Sequence, residues 1–138
     1  MKKFVKAITT ITATLACVFM AICLTACVPL NAEKAYDKMK NAGYSPYIDH
    51  FSAEILANEM IFIYNVDGLS AGAKRVRVYN DNNEYFNIFY FKNTADANKF
   101  YKDFVIREMD NYNWEIVNKQ GKIVYFGSKT IYDDIFIK

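Results

Sequence analysis

Residues 1–27 separate a predicted export signal from the part of the chain that can fold. Lys2, Lys3 and Lys6 precede a run from Ala7 to Leu24 that is apolar apart from threonines. A basic segment followed by an apolar core is typical of a secretory signal peptide. The alternative is a retained transmembrane helix, because the length of the apolar run lies at the lower limit for spanning a bilayer.

The end of the apolar run carries a second signal. Leu24-Thr25-Ala26-Cys27 resembles the lipobox of bacterial lipoproteins, which is an aliphatic residue, a small or polar one, a small one and then cysteine. In that family a diacylglyceryl group, carrying fatty acids such as palmitate, is attached to the cysteine thiol. The resemblance implies that a signal peptidase recognises Leu24, Thr25 and Ala26 and cuts before Cys27, which becomes the lipidated residue.

The resemblance also implies where the chain resides. Two acyl chains on one residue give stable membrane attachment, so we expect a lipid anchor at Cys27 on the extracytoplasmic face of the cell membrane. Residues 1–26 would be removed, and residues 27–30 would be the lipidated cysteine and a short tether. Fully extended, that tether would reach about 10–15 Å. Residues 31–138 would form a single domain close to the headgroups.

The composition from Cys27 to Lys138 suits one small domain. Loss of the three signal lysines changes the formal charge from +2 to −1. A nucleic-acid binder would show a basic excess, so we expect no nucleic-acid partner. No cysteine follows Cys27, which excludes disulfides, and the core must depend on packing of the abundant tyrosine and phenylalanine side chains together with Trp114.

Helical periodicity and capping residues predict three helices. Asn31 can cap a helix that extends to Ala42, and Ser128 can cap a short terminal helix. Thr94 is expected to cap a longer helix with a buried stripe on one side. That stripe comprises Ala97, Phe100, Tyr101, Phe104, Val105 and Met109.

Strand patterns predict an antiparallel sheet. Two β-hairpins are expected, and a short run of β-branched and aromatic residues marks an additional strand less clearly. The hairpins pair Lys74–Tyr79 with Glu84–Phe91 and Trp114–Val117 with Lys122–Phe126, and the additional strand covers Met60–Val66. The strand over Glu84–Phe91 is apolar on nearly both faces and is expected to be central. We therefore predict one α+β domain, with the helices packed on one face of the sheet.

One motif invites a catalytic interpretation. Gly68-Leu69-Ser70-Ala71-Gly72 matches the G-x-S-x-G nucleophile elbow of hydrolases, which needs a strand before the serine and a helix after it. The segment that follows is strand-like, and the one histidine, His50, precedes Ser70. We expect a glycine-containing turn and no catalytic residues. A small envelope hydrolase that uses Ser70 is the less favoured alternative.

Other chemistry is poorly supported by the sequence. Zinc sites need three or four nitrogen, sulfur or carboxylate ligands, and the part after Cys27 offers a single histidine and no cysteine. Asn80–Glu84 lacks the spacing of a calcium-binding loop. The acid pairs Asp133–Asp134 and Glu108/Asp110 are expected to be solvated surface. We therefore expect no metal and no cofactor.

Exposed tyrosines are the remaining candidates for function. Five fall at predicted loops or strand ends: Tyr44, Tyr47, Tyr79, Tyr85 and Tyr112. Such residues can stack on sugar rings of the cell wall or form a protein interface, where tyrosine is enriched; the alternative is that they belong to the core or its rim. The anchor and the segment Tyr90–Ala95 before an amphipathic helix resemble small Gram-positive lipoproteins, which implies no particular activity.

These observations together predict a function based on binding. We expect a membrane-anchored lipoprotein with a non-catalytic binding, accessory or scaffold role at the cell envelope. Its partner would be an envelope protein or peptidoglycan. The alternative is a module that binds a cell-wall glycan or a small ligand through its exposed tyrosines.

Overall fold

A computed structural model describes residues 28–138, so the predicted signal peptide, the lipobox and Cys27 lie outside the described residues. The described part forms one α+β domain with four helices and an antiparallel five-stranded sheet, which confirms the predicted fold class. In chain order the elements are α1 (Ala32–Asn41), β1 (Tyr47–Phe51), α2 (Ala53–Tyr64), β2 (Ala73–Tyr79), β3 (Tyr85–Phe91), α3 (Thr94–Phe100, a π-helical turn at Tyr101–Val105, and Ile106–Glu108), β4 (Ile116–Gln120), β5 (Ile123–Gly127) and α4 (Lys129–Phe136).

The sheet confirms both predicted hairpins. Its strands lie in the order β1-β2-β3-β5-β4, and every neighbouring pair is antiparallel. The first hairpin closes at the pair Tyr79 and Tyr85, and the second closes at Gln120 and Ile123. Strand β3 is central, as expected from its apolar residues on both faces.

The helices cover both faces of the sheet, so the prediction that they pack on one face is wrong. Helices α2 and α3 pack against Phe89 and Phe91 of β3, whereas α1 and α4 pack against Phe86 and Ile88. Successive side chains of a strand point to opposite faces. A central strand that is apolar on both faces therefore needs a helical layer on each side.

The segment predicted as the additional strand is helical. Met60–Tyr64 belongs to α2, which begins after Ser52, whose hydroxyl accepts a hydrogen bond from Ile55 N at 3.3 Å. The helix ends at Asn65, which is left-handed with a φ of 51°. Leu56 and Met60, four residues apart, are both fully buried. A short apolar run fits either a strand or a buried helix, and the cap and the spacing favour the helix.

The fifth strand is β1, which the sequence pattern does not mark. Tyr47–Phe51 contains the polar residues Asp49 and His50, which are uncommon in strands. It lies at the edge of the sheet and pairs with β2. There Asp49 contacts Arg75 and Arg77, so a cross-strand ion pair compensates for the weak local preference.

Most predicted helix starts are confirmed, with one shift. Asn31 and Ser128 accept hydrogen bonds from the backbone three residues on, as N-caps do. The cap of α3 is Asn93 in place of Thr94, and its side chain accepts a hydrogen bond from Asp96 N at 2.7 Å. Strand β4 begins and ends later than expected, at Ile116–Gln120. It extends to Gln120 because Gly121, with a φ of 56°, allows a tighter turn.

Residues 28–30 pack onto the domain instead of extending as a free tether. Val28 is 1% exposed and belongs to the core between α1, α4 and the sheet. The hydroxyl of Tyr90 donates a hydrogen bond to the Pro29 carbonyl at 2.9 Å. Leu30, in contrast, is 84% exposed. The path of the chain is therefore fixed from Val28 onward.

Candidate functional site: an aromatic cleft at one end of the sheet

An open cleft of about 230 Å³ lies on the face of the sheet that α2 and α3 cover. Most of its lining is aromatic, and two sheet residues bring polar groups to it. The lining residues are Ile63, Tyr64, Arg75, Tyr79, Tyr85, Asn87, Phe104, Tyr112, Trp114 and Phe126. We refer to this feature as the aromatic cleft.

Strand alternation explains why these side chains meet. Arg75 and Tyr79 of β2 point to the same face as Tyr85 and Asn87 of β3, because they lie two or four residues apart. The register places Tyr79 opposite Tyr85 and Arg77 opposite Asn87. The last part of α3 ends at Glu108, and the loop that follows brings Tyr112 and Trp114 to this end of the sheet.

The aromatic side chains are held in a defined arrangement. The indole Nε1 of Trp114 donates a hydrogen bond to the Tyr85 hydroxyl at 2.5 Å. Tyr112 stacks on Trp114 with ring centroids 5.1 Å apart and an angle of 9°. Tyr79 and Tyr112 are each about half exposed. Their rings therefore offer apolar surface to a ligand on a support that is already ordered.

A charged group lies under the aromatic rings. The Arg75 side chain is 12% exposed, and its Nε and Nη2 lie 2.9 and 2.8 Å from Asp49 Oδ2. Its Nη1 donates to the Tyr64 hydroxyl at 2.6 Å. Arg77 Nε lies 3.2 Å from the same Asp49 oxygen. One carboxylate thus joins two guanidinium groups, and this fixes the edge strand to the floor of the cleft.

The polar groups of the cleft can form directed hydrogen bonds with a ligand. The arginines are already engaged, since Asp49 pairs with both Arg75 and Arg77. The side-chain amide of Asn87 forms no hydrogen bond within residues 28–138. It can therefore donate to and accept from a ligand. Aromatic walls with a few directed polar groups are typical of small-molecule sites.

The structure separates the five tyrosines singled out from the sequence. Tyr79, Tyr85 and Tyr112 all line the aromatic cleft. Tyr47 lies outside the lining, with its ring over the Arg77 guanidinium at 5.6 Å. Tyr44 packs on the opposite face of the sheet, where its hydroxyl donates to Asp134 at 3.0 Å.

Sequence reasoning missed several residues of the cleft. The sequence pattern places Trp114 in a strand and marks Arg75 and Asn87 only as strand positions. The register of the first hairpin could have indicated the last two. It places Arg77 opposite Asn87, and Arg75, two residues before Arg77, lies on the same face. Trp114 gave no such signal, since its position depends on where α3 ends.

Ser70 does not lie in a nucleophile elbow. Its loop follows a helix, α2, and precedes a strand, β2, which is the reverse of the required order. The Ser70 hydroxyl lies 3.2 Å from Asp96 Oδ1, so an acid is within reach. Asp96, however, also accepts hydrogen bonds from the backbone N–H groups of Ser70 and Ala71. The hydrogen bonds of the Asp96 carboxylate therefore hold this loop against the start of α3.

His50 lies apart from Ser70. It lines a second cavity of about 400 Å³, which we call the His50 cavity, together with Leu30, Phe51 and Tyr90. None of the hydrogen bonds of Ser70 involves His50. Within residues 28–138, no group of three or more His, Cys, Asp or Glu side chains could hold a metal ion.

Three acids of the two pairs, Asp133, Asp134 and Glu108, contact basic or polar side chains. Hydrogen bonds from Lys138 and then Tyr44 lower the pKa of Asp134, and Asp133 pairs with Lys129. Hydrogen bonds from Asn111 and Arg107 lower the pKa of Glu108. Lowered pKa values keep Asp134 and Glu108 ionised near neutral pH, which does not suit a general acid.

Comparisons with known proteins leave the site to be interpreted from its geometry. A scan against protein-family models and searches of curated proteins and of solved structures return no match to this chain. Among the helices at residues 28–138, none combines the length and apolar character needed to cross a bilayer. The described part of the chain is thus a small α+β domain with an aromatic cleft.

The raised pKa values of several tyrosine hydroxyls predict that the stability of the fold decreases at high pH. Burial, and then the hydrogen bond to Asp134, raises the pKa of Tyr44 to about 12, and burial also raises the pKa of Tyr64, Tyr85 and Tyr90. Where folding raises the pKa of a tyrosine, its neutral hydroxyl contributes fully to stability below the unfolded-state pKa of about 10. This contribution is lost as the pH rises through the folded-state pKa.

Urea unfolding at a series of pH values will measure this loss. We expect the urea concentration at the unfolding midpoint to decrease as the pH is raised from about 10 to about 12. The decrease should be less steep in Tyr44→Phe. A midpoint that stays constant over this interval would contradict the proposed environment of these hydroxyls.

Proposed function

We propose that this chain is a membrane-anchored extracytoplasmic lipoprotein whose domain binds a ligand at the cell envelope without catalysing a reaction. The sequence pattern of residues 1–27 supports the anchor, since basic residues, apolar run and Leu24-Thr25-Ala26-Cys27 occur in order. The aromatic cleft is the observation that carries the binding role. Its concave shape favours a ligand over a flat protein partner.

The chemistry of the cleft favours a sugar ring as the bound group. The exposed rings of Tyr79 and Tyr112 can cover the apolar face of a pyranose, while the Asn87 amide can bond its hydroxyls. Arg75 below them is already paired with Asp49, so it does not require an anionic ligand. At about 230 Å³ the cleft is smaller than most drug-sized sites, so one ring of a longer cell-wall glycan is the expected occupant.

A catalytic role has less support. The Asp96 carboxylate next to Ser70 already accepts hydrogen bonds from backbone N–H groups, and His50 lines a different cavity. An accessory role with an envelope protein is the competing interpretation. The exposed Ile63 and Tyr112 at the cleft are apolar enough to contact a protein surface.

The single tryptophan of the chain provides a direct test of glycan binding. Trp114 lines the cleft, so its fluorescence should report an occupant. We expect soluble peptidoglycan fragments, added to the full protein in detergent, to cause a saturable change in emission. Tyr112→Ala should weaken the binding by about 2- to 13-fold, the equivalent of one aromatic contact of about 0.5–1.5 kcal/mol.

Tyr47→Ala is the matched control for this test. Tyr47 is 57% exposed and Tyr112 is 56% exposed, but only Tyr112 lines the cleft. We expect Tyr47→Ala to bind the fragments as the parent protein does. No saturable change, or equal weakening by both substitutions, would overturn the glycan site. Crosslinking of one dominant envelope protein at Tyr112 would favour the accessory role instead.

The lipid anchor is tested separately in cells. We expect the parent protein to incorporate labelled palmitate and to sediment with membranes, and Cys27→Ala to lose the label. A Cys27→Ala protein that retained the label would overturn the anchor at this residue. Neither result affects the cleft, because Cys27 lies outside the domain described by the structure.

A further inference from the structure

The two ends of the sheet differ in chemistry. At one end, which we call the anchor end, Phe51 of β1, Ala73 of β2 and Phe91 of β3 lie side by side, and Ile123 of β5 pairs with the adjacent Tyr90. The other end holds the aromatic cleft and the pair Tyr79 and Tyr85. Strand β3 has seven residues, so about 20 Å separates the two ends.

The chain enters the domain at the anchor end. Val28 is buried, and Pro29 accepts the hydrogen bond of Tyr90, one residue before the end of β3. The described chain therefore begins at this end and not near the cleft. Leu30 projects into solvent beside the His50 cavity, which Phe51 and Ala73 also line. This end thus presents apolar surface beside the first described residues.

Basic side chains collect at the same end. Lysines occur where β2 begins, where β3 ends and around the turn between β4 and β5. Two exposed acids lie at the starts of the helices at this end. The lysines are Lys74, Lys92, Lys119 and Lys122, and the acids are Glu33, which pairs with Lys74, and Glu54 at the start of α2. Lysine therefore exceeds the exposed acid at this end.

The cleft end has the opposite balance. Glu84 and Glu115 lie beside Tyr85 and Trp114, and Asp81 lies beside Tyr79. The basic groups near the cleft are already paired: Lys129 with Asp133, Arg107 with Glu108, and Arg75 and Arg77 with Asp49. A negatively charged bilayer would attract the lysines of the anchor end and repel the acids of the cleft end, each lysine near the surface strengthening the attraction.

We propose that the anchor end is a membrane-contact surface, on which Leu30 and the four lysines rest on anionic phospholipid headgroups while the aromatic cleft opens away from the bilayer. This proposal rests on the proposed lipid anchor at Cys27. A single flexible tether would let the domain rotate, whereas the buried Val28 and the charge difference select one orientation. The cleft would then face the cell wall, where its expected ligand lies.

Energy transfer from two labelled positions to the lipid surface tests the orientation. The full lipidated protein carries a single fluorophore at Gln120→Cys of the anchor end or at Asn82→Cys of the cleft-end turn, both exposed positions. The vesicles contain phosphatidylcholine, phosphatidylglycerol and a headgroup-linked acceptor dye. We expect higher transfer from position 120 than from position 82, as the separation of about 20 Å requires.

Two comparisons separate the causes. We expect the difference to shrink in vesicles without phosphatidylglycerol and in a Lys92→Glu, Lys122→Glu double variant, because both remove the electrostatic attraction. Equal transfer from both positions, or higher transfer from position 82, in protein that floats with the vesicles would overturn the orientation alone. Protein that does not float would overturn the lipid anchor and the orientation with it.

Discussion

Phe100→Ala is expected to lower the free energy of unfolding by about 3–5 kcal/mol, which is typical for removal of a fully buried phenylalanine ring. Phe100 is completely buried in the core between α3 and the sheet. Its ring centroid lies 4.8 Å from that of Phe89 and 5.3 Å from that of Phe104. Tyr64, which lines the aromatic cleft, also contacts it edge-on.

Urea unfolding followed by circular dichroism will measure this effect. Phe100→Leu keeps most of the volume and should cost less than about 1.5 kcal/mol. The exposed Tyr47→Ala removes an aromatic ring outside the core, where substitutions usually change stability by about 0.5 kcal/mol or less. If Phe100→Ala cost no more than Phe100→Leu, the packing around this ring would be looser than described.

The parts of the fold that the sequence predicts well are those with local signals. Asn31 and Ser128 cap helices through contacts that span three residues, so neighbouring residues suffice to locate them. The first hairpin is equally local, because the polar turn at residues 80–84 joins two clearly patterned strands. Central placement of β3 follows from its apolar residues on both faces.

The same apolar pattern also indicates that both faces of the sheet are covered. A strand with Phe86 and Ile88 on one face and Phe89 and Phe91 on the other requires cover on both sides. The sheet therefore needed helices on each face. The error concerned layer arrangement and left the α+β class intact.

The remaining errors arose where tertiary contacts override local preference. Met60–Tyr64 has strand-forming residues, but burial of Leu56 and Met60 on one helix face determines its conformation. Strand β1 forms despite its polar residues because it pairs with β2 and because Asp49 contacts Arg75. Neither contact is visible when each segment is considered by itself.

The candidate site was predictable only in part. Exposed tyrosines at strand ends were a reasonable signal, and three of the five come together at the cleft. Sequence position alone could not separate these three from Tyr44, which follows α1 and packs on the opposite face of the sheet. Trp114 reaches the cleft because α3 ends at Glu108, which depends on packing against the sheet.

Gly127→Ala should be the other strongly destabilising substitution. Gly127 ends β5 with a φ of 139°, a conformation that residues with a side chain rarely adopt. A Cβ atom there would lie 2.2 Å from the carbonyl oxygen of Tyr85 and 2.8 Å from Cα of Phe86. Because both contacts are backbone atoms of the central strand, no side-chain rotation can relieve them. Backbone strain and overpacking together should cost about 2–5 kcal/mol.

Gly121→Ala is the matched control, since it separates the cost of a positive φ from that of the steric contact. Gly121 has a φ of 56°, but no atom lies within 4 Å of the position that a Cβ would occupy, so only about 1–2 kcal/mol should be lost. Gly127→Ala should also shift Trp114 emission, because displacement of Tyr85 breaks the hydrogen bond to the indole. Equal losses for the two substitutions would mean that β3 and β5 can separate at this point, and the cleft could not then be a preformed site.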